Sequence, residues 1–312
     1  MLARPEAGAI AGMVAVMIIF TVLSPHFLTE GTARSVANLV AEIAIVAAGV
    51  TLLAIGGEFD LSIGSALAVS SIVFTLVVNG GADPAIGLIA ALGFAMTIGL
   101  INGLIVVRLG VSSFIATLGT LLFWRGVVFA LSSGFAVSAD SGLVKVLFSG
   151  TLPGGFNISF LWLILVIAAL SLLLYRTTFG NWIFATGGNV GAARAMGVPT
   201  DRVKILLFMN SSFLAGLVGI IQVGRFAGVD PLRGDGLELT AIAAMVIGGT
   251  ALTGGYGTVI GTLIGALMLM VTQTGLVLVG ASPYYFRTFI GVIVVAAVVL
   301  NLRVQRAARE RA

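Results

Sequence analysis

Long apolar runs, almost free of charge and separated by short polar stretches, leave this chain little choice of fold. They lie near residues 8–24, 38–55, 61–78, 85–107, 113–131, 158–175, 203–223, 238–254, 258–279 and 285–302. Each approaches the roughly 20 residues that a helix needs to cross about 30 Å of hydrocarbon. They are too long and too uniformly apolar for the alternating strands of a β-barrel. Charged residues make up only 9% of the chain, against about 25% in soluble domains. A water-exposed surface cannot be built from so few charges. The expectation is an all-α, polytopic membrane bundle of about ten transmembrane helices. With 312 residues in all, residues 1–312 form a single transmembrane domain with little left for an extramembrane one.

The few charges assign the sides. With ten spans and both termini cytoplasmic, the inner side receives Arg4, Arg108, Arg176, Arg194, Arg202, Lys204 and the tail residues Arg303, Arg306, Arg309 and Arg311. The outer side receives Arg34, Lys145, Arg225, Arg233 and Arg287. This asymmetry follows the positive-inside rule. The net charge of +4 therefore reads as topology signal and contact with membrane lipid, not as a nucleic-acid surface. The first run has no convincing small-residue cleavage site before Ser24–Pro25 and is expected to be retained. There is no cysteine, and the one histidine, His26, is a poor basis for a metal site. No phosphate-binding GxxxxGK[ST] loop is present. Neither catalytic residues nor a cofactor is expected.

One basic segment stands apart, Thr177–Lys204. It carries Arg194, Arg202 and Lys204 against the single acid Asp201. A short helix is expected near Val190–Met196, between a glycine pair and the Gly197-Val198-Pro199 stop. A short helix on the cytoplasmic face is a grip for a partner subunit. Two glycine-rich junctions, Ala54–Gly64 (AIGGEFDLSIG) and Val246–Gly257 (VIGGTALTGGYG), resemble each other and hint at an internal pseudo-repeat.

Polar residues within or beside the spans are the candidates for a pathway. Glu58 and Asp60 could act as an acid–base pair, a cation site or a proton relay, and no neighbouring group supports any of these. Asp60, followed by Leu61 and Ser62, also fits a helix N-cap. Glu42 and Arg287 are expected to snorkel to headgroups. Arg125 needs a carboxylate, backbone carbonyls or water, and either a structural or a pathway role suits it. Asn102 and Thr117 are neutral polar residues of a kind that serves helix packing or a path for a hydroxylated solute. The outer stretch Gly224–Ala244 carries Arg225, Asp230, Arg233, Asp235 and Glu238. Its mixed signs suit plain solvation or a docking surface for a soluble partner.

Four ordered motifs, GGEFDLSIGS, NGLIVVRLGVSSFIATLGT, FATGGNVGAARAMGVP and LELTAIAAMVIGGTALTGGYGTVIGTLIGAL, resemble the permease subunits of ribose-type ABC sugar importers, relatives of the branched-chain amino-acid permeases. The resemblance covers about Asn38 to Asn301. It implies a multi-pass protein of the bacterial plasma (inner) membrane and a permease dimer, of two copies or of a copy and a paralogue. It further implies two cytoplasmic ATP-binding cassette ATPase subunits, a periplasmic sugar-binding protein, and pentoses, hexoses or similar polyols as substrates. Carried over, Gly188, Asn189, Ala192, Ala193, Arg194 and Gly197 form the element that contacts the ATPase. The family commonly has an acid before the paired alanines, where this chain has Gly191, and often Asp where it has Thr240.

The resemblance implies no bond chemistry in this chain, since ATP hydrolysis belongs to the partner. The rival reading is an ATP-independent secondary transporter or facilitator of small neutral solutes. An ion-coupled one should show a carboxylate or cation site at mid-membrane.

Overall fold

The computed structural model describes residues 5–139, 141–282, 284–292 and 295, with side chains from residue 9 onward. Twelve helices are bounded there: α1 Pro5–Leu23, α2 Glu30–Ile55, α3 Ile63–Asn79, α4 Pro84–Leu109, α5 Ser113–Ser132, α6 Gly142–Val144, α7 Ser159–Arg176, α8 Thr178–Gly188, α9 Val190–Ala195, α10 Thr200–Phe226, α11 Leu237–Ile247 and α12 Val259–Leu278. A π-helical turn, Lys145–Ser149, follows α6. The only ladder among the described residues joins β1, Val137–Ser138, to β2, Gly228–Val229. The architecture is thus helical, as expected.

Among the described residues, six helices are long and apolar enough to cross a membrane: α2, α4, α5, α7, α10 and α12. Three shorter apolar helices, Ala9–Leu23, α3 and α11, accompany them. The expected span at 238–254 is instead the 11-residue α11, about 16 Å long at 1.5 Å per residue and half a bilayer deep. Gly248 and Gly249 end it early. Half of the expected span at 285–302 lies outside the described residues.

Helix starts follow local chemistry. The Thr29 hydroxyl accepts from the Thr32 amide at 3.3 Å to open α2. Asp83 accepts from the Ala85 amide at 2.7 Å, with Pro84 as the first residue of α4.

The most enclosed elements are α2, α3 and α10. Helix α10 packs on α4 and α3, and α12 packs on α2 and α1. Glycines set the spacing. A Cβ on Gly99 would come within 2.6 Å of Met209 Cα, and one on Gly103 within 2.9 Å of Ile205 Cα. These two glycines let α4 and α10 meet backbone to backbone, the small-xxx-small mode of membrane packing. A Cβ on Gly93, in the same helix, would meet nothing within 4 Å.

Candidate translocation and coupling sites

The basic segment forms two helices rather than one. Thr177 closes α7 and opens α8: its hydroxyl donates to the Leu173 carbonyl at 2.6 Å and accepts from the Gly180 amide at 3.1 Å. The expected short helix is present as α9, Val190–Ala195. Asn189 caps it, accepting from the Ala192 amide at 3.0 Å. Of the six residues carried over as a coupling element, Gly188, Asn189, Ala192, Arg194 and Gly197 are exposed, and Ala193 is buried. Arg194 turns back on its own chain. Its guanidinium pairs with Asp201 and its Nε donates to the Thr200 hydroxyl at 3.0 Å, fastening α9 to the first turn of α10. Met196, at the end of α9, is 84% exposed, an apolar side chain that charge-based reading overlooked.

A cavity of about 280 Å³ opens beside this element, lined among others by Glu58, Ser112, Ser113, Arg194, Asp201 and Lys204. Glu58 is ion-paired with Lys204, both side chains largely enclosed. The carboxylate of GGEFDLSIGS that stood beside Asp60 in sequence thus belongs to a different environment.

Asp60 is fully buried between α2 and α3. Its Oδ1 accepts from the Ser62 amide at 2.9 Å and the Ser62 hydroxyl at 2.6 Å. Asp60 therefore organises the turn into α3 from two residues before the helix's own cap position, Ser62. The sequence's candidate pathway residues converge here. Asn102 Nδ2 donates to Ser62 Oγ at 2.7 Å, and the Thr120 hydroxyl donates to Asn102 Oδ1 at 2.8 Å. The Leu61 amide donates to the Thr117 hydroxyl at 3.0 Å. Asp60, Asn102 and Thr117 form one buried network across α3, α4 and α5. Buried polar groups are stable only when bonded in this way.

Arg125 is not part of that network. Its Nη1 donates to the Pro231 carbonyl at 2.8 Å and the Arg233 carbonyl at 2.9 Å, so it clips the 230–236 segment to α5. Four of the five outer charges, Arg225, Asp230, Arg233 and Asp235, make contacts that mostly knit this segment to the bundle. Arg225 pairs with Glu42 at 2.6 Å. Arg233 lies over the Phe226 ring, 4.2 Å from its centroid. Asp230 accepts from the Leu232 amide at 2.8 Å. Asp235 meets Arg287 at 3.3 Å, both exposed. Snorkelling therefore does not describe Glu42: it is buried, and Gln222 Nε2 donates to it at 2.8 Å as well. An in-span acid with an amide and a guanidinium three residues apart on another helix was the available signal. A second cavity, about 530 Å³, lies at this end, lined among others by Glu42, Gln222, Asp235, Glu238, Gln273 and Arg287.

The described residues thus form a helical bundle with a buried polar seam and a cavity at its α9 end and at its opposite end, an arrangement consistent with a polytopic membrane permease. Residues 32–298 match the family described as branched-chain amino acid transport system / permease component, and the chain belongs to that family. It is 35% identical over 308 residues to the ribose import permease protein of Escherichia coli (strain K12), covering 96% of this chain and 94% of that one. It is 33% identical over 300 residues to the ribose import permease protein of Bacillus subtilis (strain 168), covering 95% and 92%. The autoinducer 2 import system permease protein of Yersinia enterocolitica is 32% identical over 308 residues, covering 98% and 84%.

Proposed function

We propose that this chain is the permease subunit of an ATP-binding cassette importer. It carries a monosaccharide or related small polyol delivered by a periplasmic binding protein. Two permeases, identical or paralogous, work with two cytoplasmic ATPase subunits, which hydrolyse the ATP. The observation that carries this reading is the exposed α8–α9 element in a chain of this family. It is a short capped helix outside the apolar bundle, presenting Asn189, Ala192, Arg194, Met196 and Gly197. Both termini then lie on the cytoplasmic side, residues 177–204 are the coupling segment, and the whole chain is one transmembrane domain.

The three relatives' names, two for ribose and one for autoinducer 2 import, support a small solute, and the carboxylates and amides of the outer cavity suit the hydroxyl donors of a polyol. In this conformation Asp60, Asn102 and Thr117 brace the wall of the path, since all three are fully buried. Arg125 positions the outer segment, on which Asp230 and Asp235 remain exposed to meet the binding protein.

ATP closes the partner dimer, α9 moves with it, and the permeases rock between outward- and inward-open states. The test is ATPase activity of this chain in nanodiscs with its ATPase subunit. The binding protein is added with and without each of a panel of pentoses, hexoses and polyols. Stimulation by one liganded binding protein is the expected result. Solute flux through this chain alone, without an ATPase complex, would replace the reading with a facilitator.

A further inference from the structure

Two interruptions of the helical bundle lie at the α9 end: residues 56–62 between α2 and α3, and 248–258 between α11 and α12. Each begins with the same backbone cap. Gly57 and Gly249 both have φ +87. The amides of Glu58 and Thr250 reach back five residues, to the carbonyls of Leu53 at 3.1 Å and Met245 at 2.9 Å. This is a Schellman cap. The same cap ends α3, α9 and α12, so it does not by itself mark a duplication. What distinguishes these two interruptions is that they touch.

The Gly255 amide donates to the Ile55 carbonyl at 2.8 Å, joining one interruption to the end of the helix before the other. Gly187, at the end of α8, is pressed against that bond. A Cβ there would overlap the Ile55 carbonyl oxygen and come within 2.7 Å of the Gly255 amide nitrogen. A Cβ on Gly254 would lie 2.8 Å from the Gly187 carbonyl oxygen and 2.9 Å from Gly57 Cα. Three main chains are therefore in direct contact with no side chain between them.

Two short lengths run from this node toward the 230–236 segment. One is 57–64, which passes through the Asp60 network and ends where Gly64 meets Gly234. A Cβ on Gly234 would lie 2.7 Å from the Gly64 carbonyl oxygen. The other is α11, from Gly248 back to Gly236. Side chains in a contact can change rotamer and absorb a small displacement. Main chains packed this closely cannot, and a close-packed interior transmits strain.

We propose that Gly187, Gly57 and Gly254 are positioning residues for transport. Through them α8 acts as a lever that moves the two interruptions together, and with them the 230–236 segment at the outer end. The proposal rests on the reading of α8–α9 as the ATPase contact.

The experiment uses the full permease–ATPase complex in nanodiscs. The chain has no cysteine, so Asn181→Cys on α8 and Leu232→Cys, two exposed sites, each take a single label cleanly. Gly187→Ala is compared with Gly93→Ala, the latter at a position with open space. The expected result for Gly187→Ala is retained ATPase association and ATP hydrolysis with uptake reduced more than tenfold. The nucleotide-dependent signal should persist at Asn181→Cys and vanish at Leu232→Cys, while Gly93→Ala behaves as the parent. Uptake and both signals at parental level in Gly187→Ala would overturn the proposal.

A second measurement needs no glycine variant. Hydrogen exchange of the parent complex, with and without trapped nucleotide, should change together in peptides covering 56–62 and 250–257. A change in only one of them would overturn the proposal even if Gly187→Ala fails to assemble. Failure of the parent chain to bind any ATPase would instead remove the coupling reading, and the lever with it.

Discussion

A carboxylate inside an apolar helix must find donors, and Glu42 finds two, Gln222 and Arg225. Removing one partner of an enclosed pair leaves the other charge unmatched, at about 3–5 kcal/mol for a fully buried pair. Arg225 keeps some exposure, so Glu42→Ala should cost less, about 1–3 kcal/mol. The expected outcome is a melting temperature lowered by a few degrees in detergent, with Glu42→Gln intermediate. An unchanged melting temperature would mean that the pair contributes nothing net.

Arg194 poses the opposite case. Its pair with Asp201 is exposed, and exposed pairs contribute about 0–1 kcal/mol. Arg194→Glu should insert and melt normally, yet transport poorly. The swap Arg194→Glu with Asp201→Arg separates two causes. Restored uptake would make the residue a local fastener of α9, and continued loss would make it a direct contact with the ATPase. The sequence singled out Arg194 by its charge but could not reveal Asp201 and Thr200 as its partners, because the turn at Gly197 that brings them together is a matter of three dimensions.

At the scale of elements, the apolar runs were legible because the bilayer enforces length and composition. The α9 helix was legible because its stops are local. Helix α8 was not, because TFGNWIFATGG lacks the charge pattern of a surface helix and owes its start to the Thr177 cap. Helix α11 was misjudged although its stop is local: Gly248 and Gly249 follow Ile247 directly, and the left-handed Gly249 ends the helix. Glycines in spans were legible as packing residues in general but not one by one. A Cβ on Gly99 would collide with α10, and one on Gly93 would meet nothing within 4 Å. Gly99→Val should therefore force α4 and α10 apart. Overpacking costs about 1–3 kcal/mol or more, so the variant should give a lower yield of folded protein and a lower melting temperature. Gly93→Val should match the parent. Equal loss in both would mean that glycine in α4 matters for backbone flexibility rather than for helix contact.

Across the whole molecule, the buried polar groups are spread between the two ends rather than gathered in one cluster. The α9 end is held by Glu58–Lys204 and the opposite end by Glu42–Arg225, with the Asp60 network between them. Asp60, Asn102 and Thr117 could be chosen from sequence as polar residues within apolar surroundings. Their meeting could not, since it depends on how α3, α4 and α5 cross. Arg125 was left open in sequence between structure and pathway, and its two carbonyl acceptors make it the clip of the 230–236 segment. Arg125→Ala removes both bonds and frees the Pro231 and Arg233 carbonyls, while leaving the α8–α9 face untouched. Amide exchange in 230–236 should accelerate, and uptake stimulated by the binding protein should fall at least several-fold. ATPase association and basal hydrolysis should hold. Arg125→Lys, with one point donor in place of a planar fork, should fall between. If exchange in 230–236 stays slow in Arg125→Ala, then Gly64–Gly234 packing and the Arg233–Phe226 contact suffice to hold the segment. A loss of uptake in that case would place Arg125 in the path itself.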